Sequence, residues 1–169
     1  MEKLSSNVKT VVGIIAPKEP AKDLYFSVVE TLESAVRELQ PSSRYFGLFI
    51  AVDALQIKSE RILALAEALI PKGLACLCAW GPDCERVHDC FDEIEVATNI
   101  ESTDDNVVMT TWHDDETLSE ALWYFVNSAF AVEKYRADCK DWLTIVIGNP
   151  AWETEARAAL AAIIRESKV

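Results

Sequence analysis

Five continuous runs of apolar and β-branched residues recur along the chain, separated by stretches whose apolar residues follow helical spacing. The runs are residues 8–16 (VKTVVGIIA), 45–52 (YFGLFIAV), 74–80 (LACLCAW), 107–112 (VVMTTW) and 142–147 (WLTIVI). None keeps the apolar-polar alternation of a half-exposed strand, so each predicts a strand covered on both faces. Between them, Leu24, Val28, Leu32, Ala35, Val36 and Leu39 predict a first helix over residues 23–39, with Pro41 just beyond it. Leu63, Ala66 and Leu69 predict a second helix over residues 59–70, closed by Pro71-Lys72-Gly73. Asp83 stands where it would cap a third helix carrying Val87, Cys90, Phe91 and Ile94 inward. Thr117 and Glu120 form a capping-box pattern opening a fourth helix through Leu122, Trp123, Phe125, Val126 and Phe130. Asn149 and Pro150 start the last, which turns Ala156, Leu160, Ile163 and Ile164 toward the sheet. The polar stretch 101–106 reads as a loop.

Alternating strands and helices imply right-handed βαβ crossovers. The expected fold is therefore α/β: a three-layer α/β/α sandwich on a mostly parallel five-stranded sheet, flavodoxin-like or Rossmann-like in order, in a single domain over residues 1–169. Whether the first strand pairs antiparallel at an edge is left open.

Charge narrows the partners. The 28 acidic and 16 basic residues give a formal net charge of −12, and the scattered Lys and Arg residues form no basic stripe, so nucleic acid is not the expected ligand. The first residues, MEKLSS, lack a signal-peptide pattern and no apolar run reaches the length of a membrane span, which predicts a cytoplasmic protein and no membrane partner. Five cysteines without paired CxxC spacing read as reduced thiols.

In open α/β sheets, ligands bind beyond the carboxyl ends of the strands. That rule selects Asp53, then Trp80, Asp83, Glu85 and His88, then Trp112, His113, Asp114 and Asp115 as candidate binding residues, with Gly148-Asn149-Pro150 after the last strand. An Asp or Glu there has two readings: a cap or dipole partner for the following helix, or a cation ligand or general acid–base pair. Cys84 and His88 lie four apart, as on one helix face, and His113 or Cys78 would have to complete any zinc site. Cys84, at a predicted helix N-terminus, is the expected reactive thiol, and Cys76 and Cys78 read as small core residues. No GxGxxG, P-loop or GxSxG motif occurs, so standard nucleotide and α/β-hydrolase signatures are missing.

The blocks 79–89 (AWGPDCERVHD) and 110–116 (TTWHDDE), with the strand-helix order around them, resemble an uncharacterised family of small bacterial proteins, a domain of unknown function. The resemblance covers about half the chain and implies a bacterial cytosolic setting, with no established activity to carry over; cofactor and metal stay unknown. Three functions fit these residues. The first is a non-enzymatic binding or regulatory protein, antitoxin-like or immunity-like, whose acidic loops meet a basic protein surface or a second copy of the chain. The second is a metal-dependent hydrolase or nucleotide-processing enzyme using Asp53, Asp83, His113 and Asp114. The third is a small-molecule sensor with its pocket between the Trp80 and Trp112 loops.

Overall fold

A computed structural model describes residues 1–8, 21–99 and 106–167. Most of the predicted strand over residues 8–16 and nearly all of the predicted loop over 101–106 lie outside the described residues. The described elements run β1 (Glu2–Val8), β2 (Lys22–Val29), α1 (Leu32–Glu38), β3 (Tyr45–Ala51), α2 (Ser59–Leu69), β4 (Leu74–Trp80), α3 (Cys84–Thr98), β5 (Met109–His113), α4 (Leu118–Asn127), α5 (Glu133–Arg136), β6 (Cys139–Ile147) and α6 (Pro150–Glu166).

These strands form one sheet in the order β1-β2-β6-β3-β4-β5. Only β1 is antiparallel, pairing with β2 at the edge, and the rest of the sheet is parallel. The sheet is thus doubly wound, in the manner of flavodoxin-like folds, with the last strand inserted between β2 and β3. Six described strands replace the expected five, because residues 23–39 divide. Leu24 and Val28 are four apart, a spacing that suits both a helix face and alternate positions of a strand. Tyr25-Phe26-Ser27-Val28-Val29 is aromatic and β-branched, which favours the strand. The helix begins only after Thr31, whose hydroxyl accepts from Ser34 N.

Side-chain parity sorts the core into two layers. Leu48, Ile50, Leu77, Ala79, Leu143 and Ile145 pack beneath α1, α2 and α3, through residues such as Leu32, Leu65 and Phe91. Phe49, Ala51, Cys76, Cys78 and Val146 face the other way, against Phe125 and Leu122 of α4 and Leu160 of α6. The second layer holds a buried cation. Lys22 Nζ donates to Phe125 O, Val126 O and Ala129 O at 3.2, 2.9 and 2.7 Å, satisfying carbonyls at the C-terminal end of α4. It also sits 3.4 Å from the centre of the Trp142 ring. Among the described residues no helix is long and apolar enough to cross a membrane.

Candidate functional site

At the carboxyl edge the chain leaves β4 toward α3 on one face and leaves β5 toward α4 on the other. Neighbouring strands that exit to opposite faces open the kind of crevice where doubly wound sheets bind ligands. The loop after β4 is held close to its neighbour: Val52 N donates to Trp80 O and Ala54 N to Pro82 O, both at 3.0 Å. Gly81, at φ 114°, lets the backbone pass against Val52.

Arg86, which the sequence offered only as one of several scattered cations, organises this region. Its guanidinium meets Asp83 at 2.6 Å, donates to Ile57 O at 2.9 Å, and reaches Ala54 O and Ser59 Oγ. Asp83 stands before α3 in the left-handed conformation, φ 63°, and makes no side-chain cap bond to its own helix. The expected cap is therefore an anchor for Arg86 instead. Asp53 is exposed and accepts from Leu55 N at 3.1 Å, closing its own turn. Glu85 is exposed in the first turn of α3, where it complements the helix dipole.

The sheet separates the two tryptophans and the two histidines. In the β4–β5 register Ala79 pairs with Trp112 and Trp80 with His113, so Trp112 shares a face with Ala79 while Trp80 and His113 share the other. Trp80 packs edge-on against Trp152 of α6 at 5.0 Å and donates from its indole N–H to Glu116 O at 2.9 Å. Trp112 lies on the α3 side, 42% exposed, with the His88 ring edge-on at 4.7 Å. His88 sits between Asp89 and Asp92, with nitrogen–oxygen distances of 3.0 and 3.4 Å. Asp92 also accepts from Thr110 Oγ1 at 2.6 Å. The exposed Asp114 and Asp115 follow directly in the chain. The two indoles do not face each other across one cleft.

On the α4 side a different group assembles. His113 is buried, its ring 4.8 Å from that of Tyr124. Its Nδ1 meets Glu116 Oε2 at 2.7 Å, and its Nε2 lies 3.0 Å from Thr111 Oγ1, which in turn donates to Cys78 Sγ at 3.2 Å. Burial pushes the Cys78 thiol up, but bonds from Cys76, His113 and Thr111 outweigh it and bring the thiol down to about 6. For His113, burial pulls toward the neutral ring, while the Cys78 sulfur and the Glu116 carboxylate together hold it above its usual value. Cys84, expected to be the activated thiol, is buried and pushed up by that burial. Strand parity was the signal that could have found the group: Cys76, Cys78 and Trp80 alternate onto one face of β4, as Thr111 and His113 do on β5.

Among the described residues no three His, Cys, Asp or Glu side chains, those of Asp53, Asp83, His113 and Asp114 included, are placed to hold a metal ion. A sequence family described as a domain of unknown function, DUF7684, matches residues 28–163, from β2 into α6. No curated protein and no solved structure matches the chain.

Proposed function

Because the chain belongs to the DUF7684 family, whose function is unknown, we propose its role from geometry and charge: it binds a basic segment of a partner protein at the carboxyl edge, around Trp112. One observation carries this reading. A half-exposed indole at the end of β5 is held by His88, whose ring meets the carboxylates of Asp89 and Asp92, and the exposed Asp114 and Asp115 follow in the next turn of the chain. A Trp face attracts an Arg or Lys head through its ring quadrupole, and surrounding carboxylates strengthen and steer that contact. The net charge of −12 opposes docking of a second copy of the chain on the same surface.

The test is a titration with an arginine-rich peptide and with the same peptide carrying neutral citrulline, followed through backbone and indole N–H resonances. The expected result is a shift centred on Trp112 and His88 for the arginine peptide alone, weakened by salt. Trp112→Ala should weaken binding by about tenfold or more, as for an aromatic anchor. Shifts spread evenly over the acidic surface, or unchanged affinity in Trp112→Ala, would overturn the reading.

A further inference from the structure

Cys78, Thr111, His113 and Glu116 lie in line on the sheet face opposite Trp112, each within bonding distance of the next. With the Thr111 hydroxyl proton directed at sulfur, His113 Nε2 becomes the donor to Thr111, and with Glu116 accepting from Nδ1–H the ring carries both protons as an imidazolium. A thiol, an imidazole and an orienting carboxylate in this order are the parts of an activated sulfur nucleophile. The other described groups around it are Cys76 on β4 and Tyr124 on α4, with Lys22 and Cys139 near Cys76. Among the described residues no other cysteine is shown with an imidazole and an orienting carboxylate in line, and burial pushes the Cys84 and Cys90 thiols up.

We propose that Cys78 is a peroxide-reactive thiol, with His113 supplying the proton and Thr111 and Glu116 acting as positioning residues. Cys78 has no exposed surface and His113 is 5% exposed, so a peptide or an ester is excluded and only a small electrophile, entering by a local opening of the packing, can reach the sulfur. Hydrogen peroxide meets that requirement. The sulfur forms an S–O bond as the O–O bond breaks, giving sulfenic acid at Cys78 and a hydroxide leaving group. The hydroxide takes the imidazolium proton of His113 and departs as water. Sulfur loses two electrons and peroxide gains them. This reading stands apart from partner binding at Trp112, since it uses the other face of the sheet.

At pH 7 a thiol near 6 is ~90-fold more ionised than one near 9, and its weaker intrinsic nucleophilicity gives back roughly twentyfold of that. The net advantage is about fivefold at pH 7 and about twentyfold at pH 6. The experiment treats the folded full-length chain with hydrogen peroxide, quenches it into denaturant containing dimedone, and locates the sulfenic acid by mass spectrometry. Cys78 should be labelled ahead of Cys84 and Cys90, at a rate that rises through about pH 6 and levels off by about pH 7. Glu116→Gln, a change at a half-exposed side chain, should slow it several-fold while near-ultraviolet circular dichroism stays native. A Cys78 rate no greater than that of Cys84 or Cys90, one that climbs through pH 9 as for an ordinary thiol, or one unmoved by Glu116→Gln would overturn the proposal.

Discussion

Gly47 lies opposite Trp142 where β3 pairs with β6, and the indole occupies the space that a side chain would fill. A Cβ built on Gly47 would come within 2.7, 2.9 and 3.0 Å of Trp142 Cε3, Cδ2 and Cζ3. The indole cannot simply retreat, because the tilted Phe125 ring packs against it at 4.9 Å and Lys22 Nζ rests over it at 3.4 Å. Forcing a methyl group into such a core costs about 1–3 kcal/mol, against which Ala recovers roughly 0.5–1 kcal/mol of backbone entropy. Gly47→Ala should therefore destabilise the protein by about 1–2 kcal/mol, a fall of roughly 2–8 °C in Tm for a chain of this size. Urea unfolding of the wild type, Gly47→Ala, Trp142→Phe and the double variant isolates the cause. The smaller phenyl ring reaches less far, so the Gly47→Ala cost should nearly vanish in the Phe background, a coupling of about 1 kcal/mol or more. Additivity within about 0.5 kcal/mol would refute the steric account.

Other outcomes follow from the same contacts. Arg86→Lys keeps the charge but loses the planar fork that spans Asp83 and the carbonyls of Ala54 and Ile57, so stability should drop by roughly 1–2 kcal/mol. Amide exchange should quicken across residues 53–58, and unchanged protection there would count against the clip. Lys22→Met leaves the carbonyls of Phe125, Val126 and Ala129 without their buried donor and should cost roughly 2–5 kcal/mol by urea unfolding, with the last turn of α4 losing exchange protection first. The Cys78–His113 pair predicts a pH signature. The thiol is depressed to about 6, so its stabilising share is full above the ordinary thiol value and is lost as pH falls through about 6. His113 is raised, so its share is full below the ordinary imidazole value and is lost as pH rises through the folded one. Cys78→Ser should accordingly cost more at about pH 7.5 than at about pH 5, and the His113 titration followed by NMR should move down in that variant.

The parallel core was legible because β3, β4 and most of β6 are buried on both faces, so their runs are apolar almost throughout, Lys140, Asp141 and Thr144 of β6 apart. The starts of α4 and α6 were equally legible, since Thr117, Glu120 and Asn149 act within their own first turn. Lys22–Val29 was not. Its even spacing satisfies two periods, and the strand wins through pairing with β6, a partner more than a hundred residues away. The candidate residues were found as strand ends, which is a local property. Their division into two groups depends on which face each side chain takes and on β4 lying beside β5, so Trp112 and His88 part from His113 and Cys78. Arg86 escaped notice for a related reason, because its partners at Ala54 and Ile57 are backbone carbonyls that no residue type announces.

The place of β6 in the sheet bears on how the chain is made. β6 is the last of the described strands along the chain, yet it lies between β2 and β3. Until residues 139–147 have left the ribosome, β2 and β3 cannot join, and each keeps an apolar edge of unpaired amides and carbonyls. Contacts of such long sequence separation slow folding, and open strand edges invite pairing with the wrong chain. Sheet closure thus waits for β6, and until it pairs, the facing edges of β2 and β3 stay open to mispairing with other chains.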